Sequence, residues 1–218
     1  MPTLHAHPFS SYCQKVITAL HEHGLDFTFR ELAIGDEEAD AEFGRLWPLK
    51  RMPVLVDGDR TVAESSIIIE YLGVVLGGPA PLIPSDPVAA LDVRFMDRVF
   101  DNYVMAPVQM IVFDAMRSDE ARDPQGVDRS RALLDQAYAW LDDRMAGRTW
   151  ACGDAFSLAD CAAAPSLFYA DWTHEIGDRF PAVRAYRSRL LARPSFARAV
   201  DAARPYRSFF PLGAPDRD

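Results

Sequence analysis

Two places in this chain put hydroxyl groups where a helix begins, and the chemistry open to such a place is anion binding. One is Glu64-Ser65-Ser66-Ile67-Ile68-Ile69-Glu70-Tyr71-Leu72, which follows Met52-Pro53-Val54-Leu55 by way of a short hairpin. The other is His7-Pro8-Phe9-Ser10-Ser11-Tyr12-Cys13. A helix start leaves backbone N–H groups unpaired and carries the positive end of the helix dipole. Glu64 adds an acid able to hold a cation. The pair Glu64-Ser65 therefore fits a small zwitterion, with a carboxylate on the Ser65 side and an ammonium on the Glu64 side. Taken alone, each serine also reads as an ordinary helix cap.

The spacing Ser10-x-x-Cys13 is that of a redox dithiol with the first sulfur replaced by oxygen. Serine cannot form a disulfide, so dithiol exchange is not expected. Cys13, one turn into the helix, reads as a buried small hydrophobe rather than a nucleophile. His5 and His7 share a strand face, whereas His21 and His23 point different ways on a helix. No third and fourth ligand stands at a suitable spacing, so no metal is expected.

The elements that must position these residues can be read from the patterning. Residues 3–7 form a short strand, 12–23 a helix stopped by Gly24, and 27–34 a second strand. A polar, acidic stretch, 35–43, reads as a connection. Residues 53–57 and 60–63 pair across Asp57-Gly58 as a hairpin, and a helix runs from Ser65 toward Gly77-Gly78. The expected order is βαβ, an acidic connection, then ββα. The run from Gly77 to Pro87 is rich in Gly and Pro and marks a boundary. The expected domains are thus 1–77 and 88–218, with 78–87 as linker.

Everything beyond the boundary has a helical rhythm. Residues 88–117 form one long segment with Leu91, Phe95, Val99 and Tyr103 on one side, interrupted where Pro107 removes a bond to Tyr103. Further helices are expected at 127–145, 180–191 and 195–203. Ser157-Leu158-Ala159-Asp160 is a capping box flanked by Phe156 and Cys161 as a staple. The tail carries Phe209-Phe210, which should fold back, because two adjacent phenylalanines are costly to leave in water.

Composition narrows the partners. The 218 residues carry a net charge of −9, divided as −6 over residues 1–77 and −3 over the rest. Neither part is a basic footprint, which argues against nucleic acid and anionic membrane. The longest apolar run, near Val104 to Phe113, is broken by Pro107 and Gln109, and the N-terminus lacks the pattern of a secretory signal. Cys13, Cys152 and Cys161 form neither an even framework nor a CxxC pair, so a reducing cytoplasm is the expected setting.

The ordered set resembles a cytosolic glutathione transferase: a hydroxyl at the first helix start, x-Pro before the third strand, Glu-Ser opening the next helix, and a helical second part with its Ser-x-x-Asp box. It is closest to the serine-type, theta- and zeta-like bacterial branch, since no tyrosine sits in the first strand. The resemblance implies an α/β plus all-α protein, a thioredoxin-like βαβ-ββα domain followed by an all-helical domain. It implies that Ser10 donates to the glutathione sulfur, with Ser11 as the neighbour that would serve if the register shifts by one. Pro53 resembles the family's cis-proline and would turn the Met52 backbone toward the peptide. Glu64 and Ser65 match the γ-glutamyl contacts, while Arg51, with Lys50 beside it, falls where a basic residue approaches the glycyl carboxylate. Trp47, before Pro48, departs from the asparagine usual there.

By the same resemblance the electrophile pocket lies between the domains, against the fourth helix and the C-terminal tail. Tyr103, Met110, Phe113, Met116 and Trp172 are its candidates, although residues of these types at helical spacing also read as plain core. The implied function is attack of a glutathione thiolate on a small, apolar electrophile, as in detoxification, by a homodimer that uses glutathione as co-substrate and no metal. Glutathione-dependent peroxidase, isomerase or dehalogenase chemistry, and a non-catalytic binding role, stand as alternatives.

Overall fold

Four short strands order the first half of the protein. The computed structural model describes residues 1–33 and 35–218. Strands β1 (Thr3–Ala6), β2 (Thr28–Glu31), β3 (Val54–Asp57) and β4 (Arg60–Ala63) lie side by side in the order β2-β1-β3-β4. β1 runs parallel to β2 and antiparallel to β3, and β3 turns back on β4 as the expected hairpin. Ile34, the expected last residue of the second strand, lies outside the described residues.

Alternation along β3 sends side chains to both faces. Leu55 joins Leu4 and Val62 on the face covered by α1 (Ser11–His23) and α3 (Ser65–Val74). Val54 turns the other way, onto Leu32 and Phe43. Phe43 belongs to α2 (Glu37–Leu46), so the acidic stretch read as a connection is a helix. Asp36 caps it by accepting from the Ala39 N–H at 2.9 Å, and Glu37, Glu38 and Asp40 in its first turn complement the positive helix end. Only Ala39 and Phe43 are buried along it, too short an apolar signal to stand out of so polar a sequence.

The second half consists of helices. α4 (Pro87–Val99) passes into a π-helical segment, Phe100–Met105, and then α5 (Ala106–Ala115). Pro107 has no N–H to give, and the backbone before it widens, with the Ala106 N–H reaching Asp101 O. The interruption expected at Pro107 therefore takes the form of a π segment. Of the row Leu91, Phe95, Val99 and Tyr103, only Val99 is buried, and the other three face outward. α6 (Pro124–Met145), α7 (Leu158–Thr173), α8 (Pro181–Leu191) and α9 (Pro194–Ala203) complete the bundle. Among the described residues no helix is long and apolar enough to cross a membrane.

Helix α7 is buried along nearly its whole length and packs against α1, α4, α5 and α8. Its start carries the expected capping box. The two halves meet where α1 lies on α7 and α9. Glu22 holds Arg193 through two bonds of 2.7 and 2.6 Å, and the His21 ring bonds to Ser195 O at 2.9 Å. The tail folds back as expected for Phe210, which is buried against Phe9, Tyr169 and Trp172, while Phe209 is half exposed beside His7 and Tyr206.

Candidate active site

Strand register alone gathers the chemistry-bearing loops. Val54, the first residue of β3, lies opposite His5 of β1 and Ala63 of β4. The segment before Val54, the loop after β1 and the residue after β4 therefore emerge at one end of the sheet. These are Met52-Pro53, the loop bearing Ser10, and Glu64-Ser65. The Met52–Pro53 peptide bond is cis.

The helix starts at that end differ from those elsewhere. Among the described residues six α-helices are preceded by a side chain able to accept a capping bond: Ser10, Asp36, Glu64, Asp86, Asp123 and Ser157. Asp36, Asp86 and Asp123 each take a backbone N–H of the first turn, and Ser157 forms the capping box with Asp160. Ser10 and Glu64 take none. Ser10 is extended (φ −85°, ψ 126°) and half-buried, and Ser11 is the first residue of α1. Ser65, the first residue of α3, is buried. Glu64 is exposed and sits at φ 70°, ψ 116°, a conformation that a side chain with a Cβ rarely adopts.

Cys13 is fully buried and its thiol is pushed up to about 11 by that burial, against the opposing contact of the Ser10 side chain. It is a core thiol, in keeping with the sequence reading. Burial likewise raises Tyr12 to about 12, helped by the charge of Asp101.

Beneath the two open helix starts lies a charged cluster that sequence reasoning missed. Lys15 of α1 is buried, 2.6 Å from Asp97 and 2.8 Å from Asp101, and donates to Ser66 Oγ at 2.9 Å. Ser66 Oγ donates in turn to Asp97 at 2.8 Å, and Arg98 covers both aspartates from outside at 2.6 and 2.7 Å. Burial holds the Asp101 carboxyl above its usual range, and Lys15 pulls against that shift. The available signal was a lysine directly before the run Val16-Ile17-Thr18-Ala19-Leu20, on a helix meant for the core, where an unpaired charge would be very costly.

The loop bearing Ser10 is held by residues that the sequence did not single out. The Tyr169 hydroxyl, from α7, donates to Phe9 O at 2.9 Å, and Gln14 Nε2 donates to Pro8 O at 3.0 Å. His7 Nδ1 accepts from the Phe9 N–H at 3.1 Å, and burial lowers the affinity of that ring for a proton.

Other expected residues fall further apart. Arg51 is exposed, while Lys50 is paired with Asp40 at 2.5 Å. Trp47 is half-buried against the Leu32–Phe43–Val54 cluster. A hollow of about 400 Å³ lies beside Met52, lined by Leu32, Asp40, Phe43 and Lys50 but by neither Ser10 nor Ser65. Tyr103, Met110, Phe113 and Met116 lie exposed on the π segment and the end of α5. Trp172 is only 6 % exposed and belongs to the aromatic cluster of Phe9, Phe168, Tyr169 and Phe210. The five candidates for an electrophile pocket are thus an outward row of four and one core residue.

A small α/β lobe whose helix starts are left open at one sheet end, joined to a helical bundle, defines a thioredoxin-like protein with an appended helical domain. The chain belongs to the glutathione S-transferase family, a family of transferases. Residues 4–75 match the description Glutathione S-transferase, N-terminal domain, and residues 104–194 match Glutathione S-transferase, C-terminal domain. A glutathione S-transferase of Methylobacterium radiotolerans, solved in complex with glutathione sulfonate, is 31 % identical with a TM-score of 0.79, covering 91 % of this chain and 94 % of that one. One from Methylobacillus flagellatus with glutathione bound is 25 % identical with a TM-score of 0.82, covering 91 % and 98 %. A probable maleylacetoacetate isomerase of Vibrio cholerae is 28 % identical over 205 residues, 90 % of this chain and 94 % of that protein.

Proposed function

We propose that this chain binds glutathione at the open end of the sheet and activates its thiol through Ser10 for attack on a small apolar electrophile. The observation that carries this reading is the pair of uncapped helix starts. Ser10 and Glu64 are the cap-capable residues before α-helices that make no capping bond, and strand register brings them to one end. The α3 start, with Ser65 and Glu64, suits the γ-glutamyl carboxylate and ammonium. The Met52 backbone beside β1 suits an extended peptide pairing like an added strand, and Arg51 suits the glycyl carboxylate. Two relatives solved with glutathione or its sulfonate support the choice of ligand.

A free thiol has a pKa of about 8.5, so little thiolate exists at neutral pH. Lowering it by about 2 units needs roughly 2.7 kcal/mol of preference for the charged form. A hydroxyl donated by Ser10 and the positive end of α1 are of that order together. The thiol proton leaves to water. The sulfur lone pair then forms the C–S bond, and the displaced group departs with its electron pair. Ser10 stays uncharged throughout and forms no covalent bond. Tyr103, Met110, Phe113 and Met116 offer an adaptable apolar surface for the electrophile. The same thiolate can add to a double bond and leave again after rotation. That isomerase reading is favoured by the likeness to the Vibrio cholerae protein.

A homodimer is part of the proposal. Ile67 of α3 and Leu91 and Phe95 of α4 are exposed, and the two helices are tied by Glu70 and Arg94 at 2.8 Å twice. Apolar side chains gathered on one outer face suit a second copy. A reducing cytoplasm agrees with three unpaired cysteines.

The test is an ultraviolet titration of the glutathione complex. The thiolate band should appear near neutral pH in the wild type and only near pH 8.5 in Ser10→Ala. Loss in Ser11→Ala with retention in Ser10→Ala would move the role by one residue, and an unshifted wild-type complex would leave a binding protein only. Light scattering at 24.3 kDa alone would remove the dimer.

A further inference from the structure

We propose that Tyr169, which comes from the helical half of the protein, is a positioning residue for Ser10. The inference rests on the reading of Ser10 given above and adds a second element to its machinery. The peptide unit joining Phe9 to Ser10 is held at both edges. Its carbonyl accepts from the Tyr169 hydroxyl at 2.9 Å, and its N–H donates to His7 O at 3.1 Å. A peptide unit is a rigid plane that turns only about its two flanking bonds. With both edges tied, its orientation is set, and with it the φ of Ser10 and the direction in which the Ser10 Cβ leaves the chain.

Tyr169 is itself fixed. Its hydroxyl accepts from Gln14 Nε2 at 3.2 Å, which leaves its own proton directed at Phe9 O. The ring meets Phe9 edge-on at 5.5 Å and stacks with Phe210 of the tail at 6.2 Å. Burial pushes the Tyr169 hydroxyl well up, which favours the protonated, donating form. A phenylalanine would fill the same space, and what the oxygen adds is the bond to the loop. Ser10 makes no capping bond of its own, and among the described residues the only other tie on its side chain is its contact with the Cys13 thiol. By contrast, Ser65 opens α3 with Glu64 directly before it, and Tyr169 makes no hydrogen bond to either.

The experiment compares the wild type, Ser10→Ala, Tyr169→Phe and Phe168→Leu. The thiol pKa of bound glutathione is read by ultraviolet titration, with kcat and KM measured across pH and thermal unfolding followed alongside. In Tyr169→Phe the thiol pKa should rise by about one unit and kcat near pH 6.5 should fall about tenfold, with activity recovering at pH 9. KM for glutathione should change by less than about threefold, because the γ-glutamyl contacts are untouched. Phe168→Leu loosens the same aromatic cluster without removing a bond to the loop, and its thiol pKa should match the wild type. An unchanged thiol pKa in Tyr169→Phe overturns the proposal, as does an equal shift in Phe168→Leu. Should Tyr169→Phe fail to fold, Tyr169→Met, which also lacks the hydroxyl, reads the same contact, and a folded Tyr169→Met with wild-type thiol pKa overturns it. The reading of Ser10 fails separately: a wild-type complex without thiolate, or a thiolate that survives in Ser10→Ala, overturns both.

Discussion

Ser10 and Ser157 stand at the same place relative to a helix and are used in opposite ways. Ser157 is buried at the start of α7, its N–H and hydroxyl both held by Asp160 Oδ2 at 2.9 Å. The other carboxylate oxygen of Asp160 accepts from the Ala151 N–H at 2.9 Å and from the Tyr186 hydroxyl at 2.5 Å. Ser10 is half-buried at the start of α1, with a backbone suited to capping and no capping bond. A serine cap contributes about 1 kcal/mol, so α1 forgoes that contribution. It can do so because α3, α7 and α9 pack along its length. A helix end walled in by protein must satisfy its own N–H groups. One that faces an opening can leave them for a ligand.

The largest effect that would break this comparison concerns Asp160. Asp160→Ala strands four buried donors at once and should lower stability by about 3–5 kcal/mol, read as a shift of the urea midpoint. A loss near 1 kcal/mol would mean that the box is no more than a local cap. Next comes Ser10→Ala. It should lower kcat by roughly 100-fold at neutral pH yet change stability by no more than about 0.5 kcal/mol. A stability loss the size of a cap with kcat intact would place Ser10 alongside Ser157. Ser157→Ala should be smaller, about 1 kcal/mol of stability with no effect on the thiol pKa.

What was legible in the sequence follows the same division. Ser10, Glu64, Ser65 and the Ser157–Asp160 box are local signals, each a side chain within a turn of the backbone it serves. The strands around them were legible too, because β3 and β4 are close in sequence and alternate. Partners contributed from far along the chain were not. Asp160 looked like a single cap until Ala151 and Tyr186 came to it, and nothing local singled out Tyr169. Lys15 carried only the oddity of a charge among apolar residues. The pocket candidates show the limit of helical spacing. The resemblance placed Trp172 with Tyr103, Met110, Phe113 and Met116, and spacing could not tell an outward face from an inward one. α2 failed for a related reason, since Ala39 and Phe43 alone face the sheet.

Glu64 sharpens the comparison at its smallest scale, because it is the acid at the open end as Asp160 is the acid at the closed one. Its φ of 70° costs an L residue about 1 kcal/mol or more. Glycine would relieve that cost but brings a more flexible unfolded chain, worth about 0.5–1 kcal/mol in the other direction. Glu64→Gly should therefore leave stability level or raise it by less than about 1 kcal/mol. Its loss should appear in glutathione affinity instead, by about tenfold, as expected when one charged partner of an ammonium is removed. Denaturant unfolding together with a glutathione titration separates the two. If Glu64→Gly unfolded as readily as Asp160→Ala, the backbone at Glu64 would be part of what holds α3 to the sheet, and its strained shape would need no ligand to explain it.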